Sequence, residues 1–136
     1  MMKLYTYLNY SGKCQEAFRF YEEHLGGKIT MMMTHGQGPN ANDGPPDWKS
    51  AILHARITIG ETELMGADVP NSQPMRSAYL TLIVSSTEEA ERIYATLADG
   101  GEVFMPMAET FFAVRFAQLR DKFGTSWMIL HERPKP

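Results

Sequence analysis

The sequence predicts an α+β fold made of two tandem βαβββ modules, with curved mixed sheets carrying their helices on the outer face. Three observations lead to it. A block recurs at a nearly constant offset: Glu16-Ala17-Phe18-Arg19-Phe20-Tyr21 matches Glu89-Ala90-Glu91-Arg92-Ile93-Tyr94 after 73 residues, and Gly26-Gly27-Lys28-Ile29-Thr30-Met31 matches Gly100-Gly101-Glu102-Val103-Phe104-Met105 after 74. Both blocks open with a helical apolar stripe, Ala17, Phe20, Tyr21 and Leu25 in the first and Ala90, Ile93, Tyr94 and Leu97 in the second. Each is preceded by a strand-like run, residues 4–10 and 78–84.

Taken in order, the run 4–10 leads into the first helix, and Gly26-Gly27 supplies the left-handed residue that ends it. A strand follows. Residues 35–47, rich in glycine and proline, predict a long exposed loop, after which runs 51–59 and 63–67 meet at Gly60. Val69-Pro70-Asn71-Ser72-Gln73-Pro74 reads as a linker. In the second half Ser86 or Thr87 caps the helix, with Glu89 or Glu88 in its first turn, and Gly100-Gly101 closes it. The last two strands, 112–119 and 126–131, are joined through Gly124. We expect a single domain over 1–136, with a first module at about 3–68, a linker at 69–76 and a second module at about 77–132. Two such modules are expected to set their sheets side by side around a cavity.

Composition narrows the class without naming a chemistry. At 136 residues and 15.4 kDa the chain can bury roughly two-thirds of its unfolded surface in one core. A net charge of −3, with basic residues only in short groups such as Arg115/Arg120/Lys122 and Arg133/Lys135, argues against nucleic acid as partner. No apolar run approaches the roughly 20 residues of a membrane span, and the opening Met1-Met2-Lys3-Leu4 has no signal-peptide core, so neither a membrane partner nor export is expected and we expect a cytoplasmic protein. The lone Cys14 closes no intrachain disulfide and has no CxxC partner.

Tyr7-Leu8-Asn9-Tyr10-Ser11-Gly12, the Glu16 to Tyr21 block, Gly26-Gly27, Leu53-His54-Ala55, Leu64-Met65-Gly66-Ala67-Asp68, Met105-Pro106-Met107 and Asp121-Lys122-Phe123-Gly124-Thr125-Ser126-Trp127-Met128 resemble the PhnB-like branch of the vicinal oxygen chelate superfamily. That superfamily includes glyoxalase I, bleomycin-resistance proteins and extradiol dioxygenases. The resemblance runs from about residue 4 to 132, leaving out the 35–47 loop, and implies a homodimer. Many such proteins are labelled 3-demethylubiquinone-9 3-methyltransferase, but nothing here resembles a Gly-rich strand-to-helix turn for S-adenosylmethionine, and no cofactor is expected. By the resemblance, the metal ligands of the superfamily would fall on Tyr5 (or its neighbour Tyr7), Leu64, Tyr79 and Met128. Leucine has no donor and a thioether is weak for hard cations, so no metal is expected either.

Strand parity selects the candidate site. On 53–59 the odd residues are apolar, which turns His54, Arg56 and Thr58 to the other side. Tyr79, Thr81 and Ile83 in the second half, and Tyr5, Tyr7 and Asn9 in the first, are their counterparts. We therefore expect a small organic ligand to be bound by Tyr7, Asn9, His54, Arg56, Tyr79, Thr81 and Met128. His54 beside Arg56 suits an anionic or oxygen-rich group, and His54 is also the possible general base of an alternative reading: a lyase, isomerase or dioxygenase-type enzyme, with or without a divalent metal. A structural role for His54, within the sheet or at a dimer contact, competes with both readings. A structural or regulatory dimer with no ligand is a third possibility. His24, His35 and His131 are expected at the helix end, in the loop and at the last strand end. Phe111, Phe112 and Trp127 are expected in the core, Asp121 in a turn and Glu109 in solvent.

Overall fold

The computed structural model describes residues 1–40 and 46–134. The chain divides into two compact units, Met1–Gln73 and Pro74–Pro136, which repeat one topology. Residues 41–45 of the expected loop lie outside the described residues; the described parts on either side form short 3₁₀ turns, His35–Gln37 and Pro46–Trp48.

In the first unit, β1 (Thr6–Tyr10), α1 (Cys14–His24), β2 (Lys28–Thr34), β3 (Ile52–Ile59) and β4 (Thr62–Asp68) form a four-stranded sheet ordered β1-β4-β3-β2. β1 runs parallel to β4, and the other neighbours are antiparallel. The helix lies against β3, β2 and β4. Its buried face is Cys14, Ala17, Phe18 and Tyr21, so Phe18 takes the place the sequence reading gave to Phe20. Gly66 makes that possible. A Cβ at position 66 would stand 2.8 Å from Phe18 Cζ and 3.1 Å from the Leu8 carbonyl oxygen, so only glycine lets the Phe18 ring rest on the sheet.

Lys13, the residue before α1, offers no side-chain cap. Asp68, at the end of β4, does that work from across the sheet: its Oδ1 accepts from Gly12 N at 2.8 Å and Cys14 N at 3.0 Å, and its Oδ2 accepts from Ile52 N at 2.8 Å. One buried carboxylate thus ties the start of α1 to the start of β3.

The second unit contains β5 (Leu80–Ile83), α2 (Thr87–Ala98), β6 (Glu102–Ala108), β7 (Ala113–Arg120) and β8 (Ser126–Glu132), ordered β5-β8-β7-β6 with β5 and β8 parallel. Here the helix start follows the local rule. Ser86 Oγ accepts from Glu89 N at 3.1 Å, and Glu89 Oε1 accepts from Ser85 N at 3.2 Å. Gly26 and Gly100 hold φ of +68° and +75° after their helices, as the paired glycines predict. Trp127, Leu119, Ala117 and Ile129 are buried with Ala90, Ile93 and Leu97 of α2. Phe111 and Phe112 are not core residues: they are 93% and 46% exposed, because the chain turns at Thr110, whose Oγ1 accepts from Ala113 N, before β7 begins. Among the described residues no helix is long and apolar enough to cross a membrane.

Candidate functional site

Strand pairing sets one row of side chains across the face of the first sheet that turns away from α1. Tyr7 is opposite Met65, and Met65 is opposite Arg56. His54 is two residues before Arg56 and so shares its face. Polar contacts link the row: Arg56 Nη1 donates to Glu63 Oε1 at 3.0 Å, Arg56 Nε donates to His54 Nε2 at 3.2 Å, and His54 Nδ1 lies 3.3 Å from the Tyr7 hydroxyl. Ring centroids of Tyr7 and His54 are 5.8 Å apart.

The direction of these bonds follows from chemistry. A guanidinium can only donate, so Nε2 of His54 is the acceptor and Nδ1 carries the proton of the neutral ring. Nδ1–H then donates to the Tyr7 oxygen. The phenolic proton of Tyr7 is left without an acceptor among the described residues, on a side chain 47% exposed. Burial, and secondarily the nearby Cys14, push the Tyr7 phenol above its ordinary pKa, which keeps that proton in place. Asn9, two residues further along β1, is exposed on the same face. The first unit therefore presents an aimed hydroxyl donor backed by an arginine and a carboxylate.

The second unit has a corresponding row, in which Thr81 is opposite Met128 and Met128 is opposite Gln118. Thr81 Oγ1 lies 3.9 Å from Met128 Sδ. Tyr79 precedes this row and meets Phe104 edge to face at 6.5 Å. Of the seven residues singled out by sequence, the structure brings Tyr7, His54 and Arg56 into contact in one unit, pairs Thr81 with Met128 in the other, places Tyr79 against Phe104, and leaves Asn9 beside Tyr7.

One sequence placement is corrected. Leu64 is buried on the helix side, and the counterpart of Met128 on the open face is Met65, because the strand after Gly60 reaches the row one residue later than the strand after Gly124. Taken by itself, the first unit's row has its imidazole and its carboxylate, His54 and Glu63, both engaged by Arg56. Taken by itself, the second unit's row of Thr81, Met128 and Gln118 offers hydroxyl, thioether and amide, a poor donor set for a hard divalent cation. Among the described residues no three His, Cys, Asp or Glu side chains gather closely enough to hold a metal.

Other titratable groups sit apart from the row. His24 packs on Phe20 with ring centroids at 4.5 Å, and His131 Nδ1 is 3.5 Å from Thr87 Oγ1. Glu109 pairs with Arg133 at 2.8 Å, and that guanidinium holds its carboxyl below the usual range. Glu63 is the site residue that sequence reasoning missed. Its signal was the hairpin register about Gly60, which sets Thr58 opposite Glu63 and brings the carboxylate within reach of Arg56.

The sequence model of the family described as 3-demethylubiquinone-9 3-methyltransferase matches residues 2–130. The chain belongs to that family. It is 32% identical to Protein YjdN of Escherichia coli (strain K12), over 99% of both chains. It is similar to protein PA1353 from Pseudomonas aeruginosa, at 38% identity and a TM-score of 0.86 over 98% of this chain and 100% of that one. A PhnB protein from Bacillus cereus is 25% identical, with a TM-score of 0.83 over 96% and 99% of the two chains. A glyoxylase/bleomycin resistance protein/dioxygenase domain from Frankia sp. EAN1pec, 15% identical with a TM-score of 0.64 over 98% of each chain, shares the fold of this chain.

The methyl donor that the family's description implies does not fit the residues present. The strand-to-helix turn from β1 into α1 has its Gly12 and Cys14 amides committed to Asp68, so they are not available to an anionic cofactor group. The sheets are also two small mixed ones rather than a doubly wound parallel sheet.

Proposed function

We propose that this family member binds a small organic ligand without a metal, through a hydrogen-bond acceptor such as a carbonyl, carboxylate or phenolate oxygen. The observation that carries the reading is the chain Glu63–Arg56–His54–Tyr7, in which each bond fixes the next and the last group turns an unpaired hydroxyl proton to the open face. Asn9 adds an amide on the same face, and the second unit, taken by itself, carries Tyr79, Thr81 and Met128 as a separate aromatic and weakly polar surface. Using His54 as a catalytic base would require Arg56 Nε to release the Nε2 lone pair, which is why binding is favoured over an enzyme of the superfamily.

A homodimer is the assembly we propose. The edge strand β6 carries Val103 and Met105 partly exposed, and a second copy would cover such an edge. We place the protein in the cytoplasm, where a lone thiol such as Cys14 stays reduced.

The test is a thermal-shift screen of purified protein against carbonyl, carboxylate and phenolate metabolites, with elemental analysis alongside. A ligand at about 100 times its dissociation constant adds about 2.7 kcal/mol of stability. Binding that weakens about tenfold in Tyr7→Phe supports the reading. Stoichiometric transition metal in the protein, or binding indifferent to Tyr7→Phe, sinks it.

A further inference from the structure

The second unit contains a cleft of about 540 Å³ that the sequence reading did not foresee beyond Tyr79. Its chemistry is unlike that of the Tyr7 row. Arg120, at the end of β7, is held in three ways: Nη1 donates to the Met75 carbonyl at 3.1 Å, Nη2 donates to Glu102 Oε1 at 3.2 Å, and the guanidinium carbon lies 5.4 Å from the centroid of the Phe104 ring. Arg120 Nε has no acceptor among the described residues. Tyr79 stands edge-on to the same Phe104 ring, and its hydroxyl likewise lacks a partner there. Arg76, exposed on the rim, pairs with no carboxylate among the described residues. Next to it Ser77 holds a left-handed φ of +56°, a conformation that is strained for a non-glycine residue and persists only where surroundings enforce it.

Two arginines against one carboxylate favour an anion, and the guanidinium fork matches a carboxylate in two parallel bonds. Two perpendicular aromatic rings beside that fork favour a flat apolar body. We propose that this cleft is a binding site for a small aromatic carboxylate: the carboxylate exchanges with Glu102 on Arg120 and draws Arg76 inward, while the ring lies against Phe104 and Tyr79. Every lining residue belongs to the second unit, so the inference stands independently of the reading of the Tyr7 row.

The experiment titrates isotope-labelled full-length protein with 2-naphthoate, and with 2-naphthamide, cyclohexanecarboxylate and inorganic phosphate as comparisons, following amide shifts by NMR. Naphthoate is expected to perturb Ser77, Tyr79, Phe104 and Ser126 and to bind about tenfold more tightly than the amide or the saturated acid. Arg120→Gln and Phe104→Leu are each expected to weaken it about tenfold. Because Arg120 also anchors Met75, Arg76→Gln serves as the second charge variant, with a severalfold loss expected and no fold-stabilising bond removed. Glu16→Gln, on the exposed surface of α1 and outside both rows, should leave naphthoate binding unchanged. Equal binding of amide and acid, phosphate binding as tightly as naphthoate, shifts confined to other parts of the chain, no shifts at all, or full affinity in both Arg76→Gln and Phe104→Leu would each overturn the proposal.

Discussion

Trp127 donates its indole Nε1–H to Asp121 Oδ2 at 2.9 Å, with both residues buried in the second unit. The other carboxylate oxygen accepts from Phe123 N at 2.9 Å and Thr125 N at 3.0 Å, so the acid that turns the chain between β7 and β8 also secures the largest side chain of the core. Asp121→Ala strands three donors, two of them buried and one half-buried, and is expected to destabilise the protein by about 3 kcal/mol. Trp127→Phe removes one donor and some apolar area, for about 2 kcal/mol. Chemical denaturation of both single variants and the double should show a coupling of at least about 1 kcal/mol. Strict additivity would mean that the 2.9 Å contact contributes nothing.

Asp68 gives the matching prediction for the first unit. It is 2% exposed, caps α1 from a distance and fixes the Ile52 amide, so Asp68→Ala should cost about 3 kcal/mol. Lys13→Ser, which places a conventional capping side chain where the helix starts, should gain little, because the backbone at position 13 (φ −112°, ψ 9°) is not the extended conformation from which a cap reaches the second and third helical amides. Hydrogen exchange at the Cys14 and Ile52 amides reports the difference: both should accelerate sharply in Asp68→Ala and stay slow in Lys13→Ser.

Arg56 is expected to dictate the tautomer of His54. In the neutral ring, ¹⁵N chemical shifts should show Nδ1 protonated and Nε2 bare, since Arg56 Nε can only donate to it. Arg56→Ala removes that constraint, and a mixture of tautomers should appear, while Glu63→Gln, which loosens the arginine without removing it, should have a smaller effect. A ring protonated at Nε2 in the unmodified protein would break the chain on which the ligand reading rests.

How much of this was legible in the sequence depends on the range of the interaction. The duplicated helices, their ending glycines and the Ser86 cap are local patterns, and each stands where the residues placed it. Strand parity sets His54, Arg56 and Thr81 on the face away from the helices for the same reason. What failed was register and long-range partnership. The resemblance matches Leu64 with Met128, each four residues after a glycine, yet pairing shows a one-residue difference that turns Leu64 to the helix side. Asp68 as the cap of α1, Glu63 as the partner of Arg56 and Arg120 in its cleft depend on strands meeting across the sheet, which no window of sequence contains. Phe111 and Phe112 were misplaced because hydrophobicity alone says nothing of a turn enforced by Thr110.

The Cys14 thiol supplies the pH-dependent prediction. Burial, and secondarily the Asp68 carboxylate, push it from 9.0 up to about 12. In the unfolded chain the thiol ionises near its ordinary value, so from about pH 9 to 12 the folded protein holds a proton that the unfolded one has lost. Stability therefore falls as pH rises through that window, and below it Cys14 makes no pH-dependent contribution. Two measurements follow. Denaturation midpoints should decline between pH 9 and 11 in the unmodified protein, with a shallower decline in Cys14→Ala at matched ionic strength. Thiol-reactive dye at pH 8 should label the folded protein only at the rate of unfolding, because both exposure and thiolate are withheld. Rapid stoichiometric labelling at that pH would mean that Asp68 and the α1 face leave the sulfur open, and the tight start of α1 would have to be redrawn.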